Sequence, residues 1–416
     1  MENRDTIYIC TKIFNYSDKI QAECLETELK KQLNLNTFMP FRDTGEKDLK
    51  GENRAKIIYE SDIEKLESGK IALLAVLYDG ICKDEGISFE IGYAFGRNIP
   101  IFVINTDFIW YAVGEKEYCL DPVIEYMASS YMQYYSIENK GNFKEALIAS
   151  QTQAFSNAAK KISLMIGKRE YKNITGLDID NHIDVFIDFG GGKYEYQREY
   201  ALQIKNELSQ YNIKVEMADR YCKLEEIDNL HCGLDDIKRL LASDCYVCLG
   251  DEVELSSGTA ALLGLAKSNN KKIILYESSN VKIHGENGHQ MKKNLMIDFS
   301  VDIVAKRKEE IVDIILKGKK NEESKSREKE FEKLKENILQ CNICKEKFGF
   351  DPHPIIMGNV NSKIIQISQA PSQNVHNTLK PFDDASGRKL RNEWYKIPDE
   401  VFYNPDNFYI AAIAHC

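Results

Sequence analysis

The chain has 416 residues, 43% of them hydrophobic, and a formal net charge of −10 at pH 7. Such a length exceeds one ordinary domain, and the apolar content supports packed cores, which excludes a disordered chain. The negative balance excludes broad non-specific affinity for nucleic acid, because neutralising phosphates takes clustered Lys and Arg; a local basic groove stays open.

The opening, MENRDTIYIC, lacks the basic-then-apolar layout of a leader, and no run approaches eighteen apolar residues, so no membrane partner is expected. The eleven cysteines are scattered, with Cys10, Cys24 and Cys82 in or beside structural elements. In the absence of an export signal they read as reduced thiols of a cytoplasmic protein.

Over residues 1–168, buried-type strands alternate with helical patterns. A strand is predicted at Thr6–Cys10, an amphipathic helix at Lys19–Leu33, a fully buried strand at Ile71–Leu77 (IALLAVL) and another at Ile99–Ile104. Runs of Leu and β-branched residues separated by helices imply a parallel sheet covered on both faces. A similar order returns over residues 178–317, with strands at His182–Asp188, Ile213–Met217, Asp244–Leu249 and Lys272–Tyr276 and a helix at Tyr194–Tyr211. Setting Gly86 on Gly258 also pairs Asp79 with Asp251, Gly92 with Gly264 and Ala94 with Ala266 without a gap. Agreement at several fixed offsets predicts a duplicated domain. Residues 318–337 are almost purely charged and read as a spacer, a solvated helix or linker. Residues 338–416 have a different character and contain a C-x-x-C pair, Cys341 and Cys344.

Asp79 follows the buried strand at its carboxyl end, where ligands sit in open α/β sheets. Asp84 lies in the next loop, Gly86 permits a tight turn, and Glu90 falls in the first turns of the helix that follows, at what reads as a surface position. The helix dipole favours a carboxylate there by roughly 0.3–1 kcal/mol. An oriented, ionised carboxylate is what attack on an anomeric carbon requires, and a second carboxyl can deliver a proton to the departing base. Tyr8, at the end of the first strand, is placed to hydrogen-bond Glu90 and hold its rotamer. Singly these are ordinary loop and helix acids; as a set behind a buried strand they point to a site.

Over roughly residues 5–130 the chain resembles the nucleoside 2-deoxyribosyltransferase family, through TIYICTKIF and DEGISFEIGYA. The resemblance implies a flavodoxin-like fold and cofactor-free chemistry on a nucleoside or nucleotide through a glycosyl-enzyme intermediate. It implies Glu90 as nucleophile, Asp84 as a proton-handling contact to the base, Asp79 as a sugar- or base-binding acid and Tyr8 as the residue that orients Glu90. Phe14 and Gly86 become substrate contacts. The second stretch has Phe186, Ser256 and Leu262 in place of Tyr8, Asp84 and Glu90, so it is expected to be inactive, either a scaffold or a pocket that binds without cleaving. In the family an Asn-x-Met from a neighbouring subunit completes each site. Asn294-Leu295-Met296 is the match in the second stretch, whereas Glu125-Tyr126-Met127 stands in the first. The two stretches are therefore expected to form an intramolecular pseudo-dimer, with Asn294 and Met296 touching substrate at Glu90, and the chain is open to homo-oligomerisation.

In the third segment, Ile364–Ser372 reads as a strand entering a turn, PFDDASGRKL opens a helix and FYIAAIAHC is a strand. This resembles the N-terminal part of the uracil-DNA glycosylase superfamily, especially its iron–sulfur branches. The resemblance implies DNA as a partner, Phe382 stacking on a flipped base, and Cys341, Cys344 and Cys416 as three ligands of a 4Fe–4S cluster; a cysteine pair alone suits zinc equally well. Gln369 and Ala412 depart from the family pattern and its second motif is absent, so this segment is not expected to act as it stands. The expected class is thus α/β, with two flavodoxin-like parallel-sheet domains in tandem and a partial uracil-DNA-glycosylase-like domain. The expected function is cleavage or transfer at an N-glycosidic bond; the alternatives are a nucleotide-sensing module that controls a DNA-acting segment, and an NAD-type glycohydrolase. The cysteine pattern predicts iron and acid-labile sulfide in protein purified without air; metal analysis that finds zinc alone assigns a structural zinc site instead.

Overall fold

The apolar runs of the first half become the strands of a five-stranded parallel sheet, in the order β2-β1-β3-β4-β7. In chain order the elements are β1 (Thr6–Cys10), α1 (Tyr16–Gln32), β2 (Asn36–Phe38), α2 (Pro40–Asp43), α3 (Arg54–Glu67), β3 (Ile71–Leu77), α4 (Glu85–Gly96) and β4 (Ile101–Asn105). A hairpin of β5 (Tyr111–Val113) and β6 (Lys116–Tyr118) follows, then α5 (Pro122–Met127), β7 (Ser130–Gln133) and α6 (Phe143–Lys168). The computed structural model describes residues 4–44, 54–79, 83–113, 116–135, 142–168, 171–179, 181–192, 195–223, 227–252, 254–279, 284–286, 289–349 and 351–414.

The second half contains β8 (Ile183–Asp188), α7 (Glu195–Ser209), β9 (Val215–Met217), α8 (Asn229–Ala242), β10 (Ser243–Leu249), α9 (Ser257–Ser268) and β11 (Lys272–Tyr276). A hairpin of β12 (His284–Glu286) and β13 (His289–Met291) comes next, then α10 (Leu295–Asp298) and β14 (Ile303–Ala305). Its parallel sheet runs β9-β8-β10-β11-β14. Counted within each half, both orders are 2-1-3-4-5, the flavodoxin-like doubly wound arrangement. The strand predicted from Ile99 begins at Ile101. Pro100 has no amide hydrogen to give the ladder, and only its carbonyl takes part, accepting from the Leu74 N–H. One core lies between the first sheet and α1 and α6, with Leu73 and Phe102 against Leu25, Leu29, Phe155 and Ile162.

Both halves belong to one compact unit, residues 1–312; a second unit spans residues 313–416. Within the first unit the halves meet through α4 and α9. All twelve residues of α4 are buried, because the helix is covered by its own sheet on one side and by α9 on the other. Two glycines bring the helices together. A Cβ on Gly92 would run into the Ala261 carbonyl, and one on Gly264 into that of Phe89. Since Gly264 is the counterpart of Gly92, and Ala261 of Phe89, the contact has approximate twofold symmetry.

The charged stretch 318–337 is helical, part of the continuous α11 (Lys308–Leu339). The second unit continues with α12 (Ile343–Phe348), β15 (Ile356–Met357), β16 (Ile364–Ser368), α13 (Gln373–Thr378), α14 (Ala385–Lys389), α15 (Asp399–Phe402) and β17 (Phe408–Ala412). Its three strands form a small sheet, β15-β17-β16, over Leu390, Phe402, Phe408 and Ile410. Among the described residues no helix is long and apolar enough to cross a membrane. Because the α4–α9 contact is backbone against side-chain-free Cα, Gly264→Ala should lower the unfolding free energy of the first unit by about 1–3 kcal/mol, measured by urea denaturation.

Candidate active site

Residues two apart on a strand share a face, and this brings Tyr8 and Cys10 of β1 to one carboxylate. Tyr8 Oη donates to Glu90 Oε1 at 2.6 Å, and Cys10 Sγ donates to Oε2 at 2.7 Å. The surface position expected for Glu90 is corrected here: it is 7% exposed, because its side chain turns inward to Tyr8 and Cys10 of β1. Burial pushes the Glu90 carboxyl up to about 7; the bonds from Cys10 and Tyr8 oppose this, while the charge of Asp84 adds to it. Burial, together with the neighbouring acids, also holds Cys10 and Tyr8 well above their ordinary values. Both therefore stay protonated and serve Glu90 as neutral donors.

Asp84 is the N-cap of α4 and accepts the Ile87 N–H on Oδ1 at 2.9 Å. Burial raises its pKa, while the Ile87 N–H and the charge of Lys12 pull the other way. Asn294 arrives from the second half. A Cβ on Gly86 would stand 2.8 Å from Asn294 Nδ2 and 2.9 Å from Asp84 Oδ1, so the missing side chain lets the amide approach the acid. Asn294 Oδ1 accepts the Met296 N–H at 2.9 Å and caps α10. Met296 is buried on that short helix, which packs on α4. Phe14 lies in the loop after β1 and is 61% exposed.

Asp79 is committed to the loop after β4. Its carboxylate accepts the Thr106 N–H at 2.5 Å and the Thr106 hydroxyl at 2.8 Å. Asp251 does the same in the second half, with the Ser278 N–H at 2.5 Å and hydroxyl at 3.0 Å. Two residues beside the pocket carry no catalytic motif in the sequence. Cys10 lies inside β1 and reads in the sequence as a small apolar residue. Asp62 on α3 is buried, and its charge raises the pKa of both Tyr8 and Cys10. The sequence signal for Asp62 is the echo of DIEKL (62–66) in DIKRL (236–240).

The equivalent place in the second half is filled by Arg220, whose side chain is fully buried. Its Nη1 donates to Asp188 at 3.2 Å and to Asp236 at 3.1 Å; Nη2 donates to Ser256 at 3.3 Å and Thr259 at 2.9 Å. Asp188 occupies the strand position of Cys10, Ser256 that of Asp84, and Leu262 that of Glu90. Burial by itself would discharge Arg220, but Asp188, Asp121 and Asp236 more than offset it. The three-glycine turn is part of this lock: Gly191 has φ +70 with the Arg220 side chain against it, and its N–H is bonded to Asp188. The first-half counterpart of Asn294 is not within Glu125-Tyr126-Met127. It is Asp121, which caps α5 as Asn294 caps α10 and lies against Gly258 as Asn294 lies against Gly86. The register differs because cap position, not the trailing Met, is what the two loops share.

In the second unit Phe382 lines a cavity of about 90 Å³ with Ser368, Pro371, Ser372 and Asp384. Its φ is +57, a strained value for an aromatic residue, and Arg391 donates to its carbonyl at 2.9 Å. Cys341 and Cys344 are half-buried free thiols, and Cys416 lies outside the described residues. Among the described residues the one group of three side chains close enough to share a metal ion is His182, Asp184 and Asp244, which does not include the cysteines.

Residues 7–165 match the family model for nucleoside 2-deoxyribosyltransferase. Among solved structures, a conserved protein from Enterococcus faecalis V583 is 19% identical, over 40% of this chain and 98% of that one, with a TM-score of 0.24. MurG from Acinetobacter baumannii is 11% identical, over 75% of this chain and 90% of that one, with a TM-score of 0.21. Comparison with curated proteins finds no match. The first half therefore carries a domain of the nucleoside 2-deoxyribosyltransferase type.

Removing the cation of the second pocket leaves buried carboxylates uncompensated. Arg220→Ala should destabilise the first unit by about 3–5 kcal/mol, read as a fall in the urea midpoint.

Proposed function

We propose that the first half cleaves or transfers at the N-glycosidic bond of a (deoxy)nucleoside or nucleotide, with Glu90 as the nucleophile. The observation that carries this is the buried carboxylate of Glu90, held through both oxygens by the neutral donors Tyr8 and Cys10. Each carboxylate oxygen has a second lone pair, so the two bonds fix the rotamer and leave a pair on each oxygen, either of which can attack. The ionised carboxylate forms a bond to C1′ as the C1′–N bond breaks. The electron pair leaves on the base nitrogen, which takes a proton from Asp84, whose raised pKa suits it to hold one. An acceptor base or water then attacks C1′ from the other face, returns a proton to Asp84 and frees Glu90, with overall retention.

Asp79 is assigned to bracing the loop after β4, because Asp251 makes the same bonds beside a pocket that has Ser256 and Leu262 in place of Asp84 and Glu90. The second half reads as a degenerate copy that lends Asn294 and Met296 to the Glu90 pocket. Its own pocket is occupied by Arg220, which argues against a nucleoside-sensing role there. Phe14 and Gly86 complete the substrate contacts of this reading. Phe382 and the cavity beside it are the place where a uracil-DNA-glycosylase-like segment would meet a base.

A panel of nucleosides, 5′-monophosphates and NAD, with and without an acceptor base, read by chromatography of released bases, tests the reading and separates transfer from hydrolysis. Glu90→Gln should reduce base release at least a thousandfold while the protein still folds. One donor then faces an amide NH2, so a stability loss of about 1–3 kcal/mol is expected; retained turnover would remove Glu90 from the chemistry. A 2-fluoro-2-deoxy nucleoside should leave the sugar on the 86–97 peptide, seen by mass spectrometry. Attack needs the ionised form, so kcat/KM should rise with pH and level off above about 7. Cys10→Ala and Tyr8→Phe each remove a donor that lowers the Glu90 pKa, and each should move this limb to higher pH.

A further inference from the structure

Glu85 is the first residue of α4, directly after Asp84, and is 3% exposed. Its carboxylate points away from its own half. Oε2 accepts the Leu255 N–H at 2.9 Å, and Oε1 accepts the Asn294 N–H at 2.6 Å. Both amides belong to the second half, so one side chain bonds two of its loops at once. One loop presents Asn294, whose side-chain amide lies at Gly86 next to Asp84. The other carries Glu254, whose charge reaches Asp84. Burying a carboxylate is costly unless it is well bonded, and two backbone donors with Lys293 nearby are its compensation here. The position equivalent to Glu85 in the second half is Ser257. A serine offers one oxygen on a short side chain where Glu85 offers two on a long one, so this clamp is built on the Glu90 side of the approximate twofold.

We propose that Glu85 is a positioning residue, which holds the Asn294 and Leu255 loops of the second half over the Glu90 pocket and so sets how tightly the base of the substrate is bound. This rests on the nucleoside-processing reading of the same pocket. Glu85 touches neither substrate nor reacting atoms; it acts through Asn294. Its removal therefore weakens base binding and leaves Glu90 chemically competent.

The test uses the full chain with Glu85→Ala, Asn294→Ala and the double variant, with 2′-deoxyinosine and 2′-deoxycytidine and their 5′-monophosphates as probes. Amide hydrogen exchange, read by mass spectrometry without any nucleoside, should accelerate at least tenfold in peptides spanning 254–257 and 293–297 of Glu85→Ala, with the α6 peptides unchanged. The KM should rise about tenfold with kcat within threefold, and saturating fluorinated nucleoside should still label Glu90. The double variant should be no worse than Asn294→Ala within twofold, because one residue acts through the other. Should Glu85→Ala fail to fold, Glu85→Gln keeps one acceptor oxygen and should give an intermediate exchange rate. Unchanged exchange at both loops overturns the proposal, and so do effects that multiply in the double variant. If the wild-type chain turns over none of the probes, the nucleoside reading fails by itself and hydrogen exchange alone decides whether Glu85 is a clamp.

Discussion

The rest of the first unit depends on the side-chain-free approach of α4 to α9. Gly92 and Gly264 let each helix touch the other's carbonyl groups, and this closeness deprives α4 of any wet face. Asp84 and Glu90 of the α4 segment therefore titrate in a dry environment. A solvated Glu90 at the same helix position would be an ordinary carboxylate, ionised well below neutrality. Buried against β1, it is pushed up to about 7 and is ordered by Tyr8 and Cys10. Desolvation is unfavourable for the anion, and the two donors return part of the loss in a form that also fixes direction.

The same interface has two unlike ends. On the first-half side, an acid meets two neutral donors, so the pocket can gain or lose a charge with little rearrangement. On the other side, a permanent cation meets Asp188 and Asp236 of its own half and Asp121 across the interface, and its Nη donors are committed to Asp188, Asp236, Ser256 and Thr259. One end is suited to charge that develops during a reaction, and the other is already neutralised. Comparing the ends separates roles that single residues do not reveal. What both halves keep, such as Asp79 and Asp251 with the same bonds to Thr106 and Ser278, serves the loop. What one half keeps alone, such as Tyr8, Asp84, Glu85 and Glu90, belongs to the pocket.

Much of the framework was legible from residue order alone. Leu-, Ile- and Val-rich runs such as IALLAVL mark central parallel strands because both faces of such strands are covered, and the spacing of Gly86, Gly92 and Ala94 from Gly258, Gly264 and Ala266 exposes the internal echo in the sequence itself. The cluster of Tyr8, Asp84 and Glu90 was also readable, since strand ends and helix starts meet at the carboxyl edge of a doubly wound sheet whatever packs outside it. Tertiary structure alone decided that Glu90 is buried, that Cys10 is its second donor, that Arg220 fills the other pocket, that Asp121 rather than Glu125 answers to Asn294, and that Glu85 reaches two loops of the second half. Periodicity reports how an element packs on its own sheet, whereas these features arise where side chains from elements distant in sequence meet, within one half for Cys10 and Glu90 and across the halves for Asp121 and Glu85. The charged and polar groups involved meet across as many as 209 residues of chain, and a lone Arg, Cys or Glu has no local pattern to announce its partner.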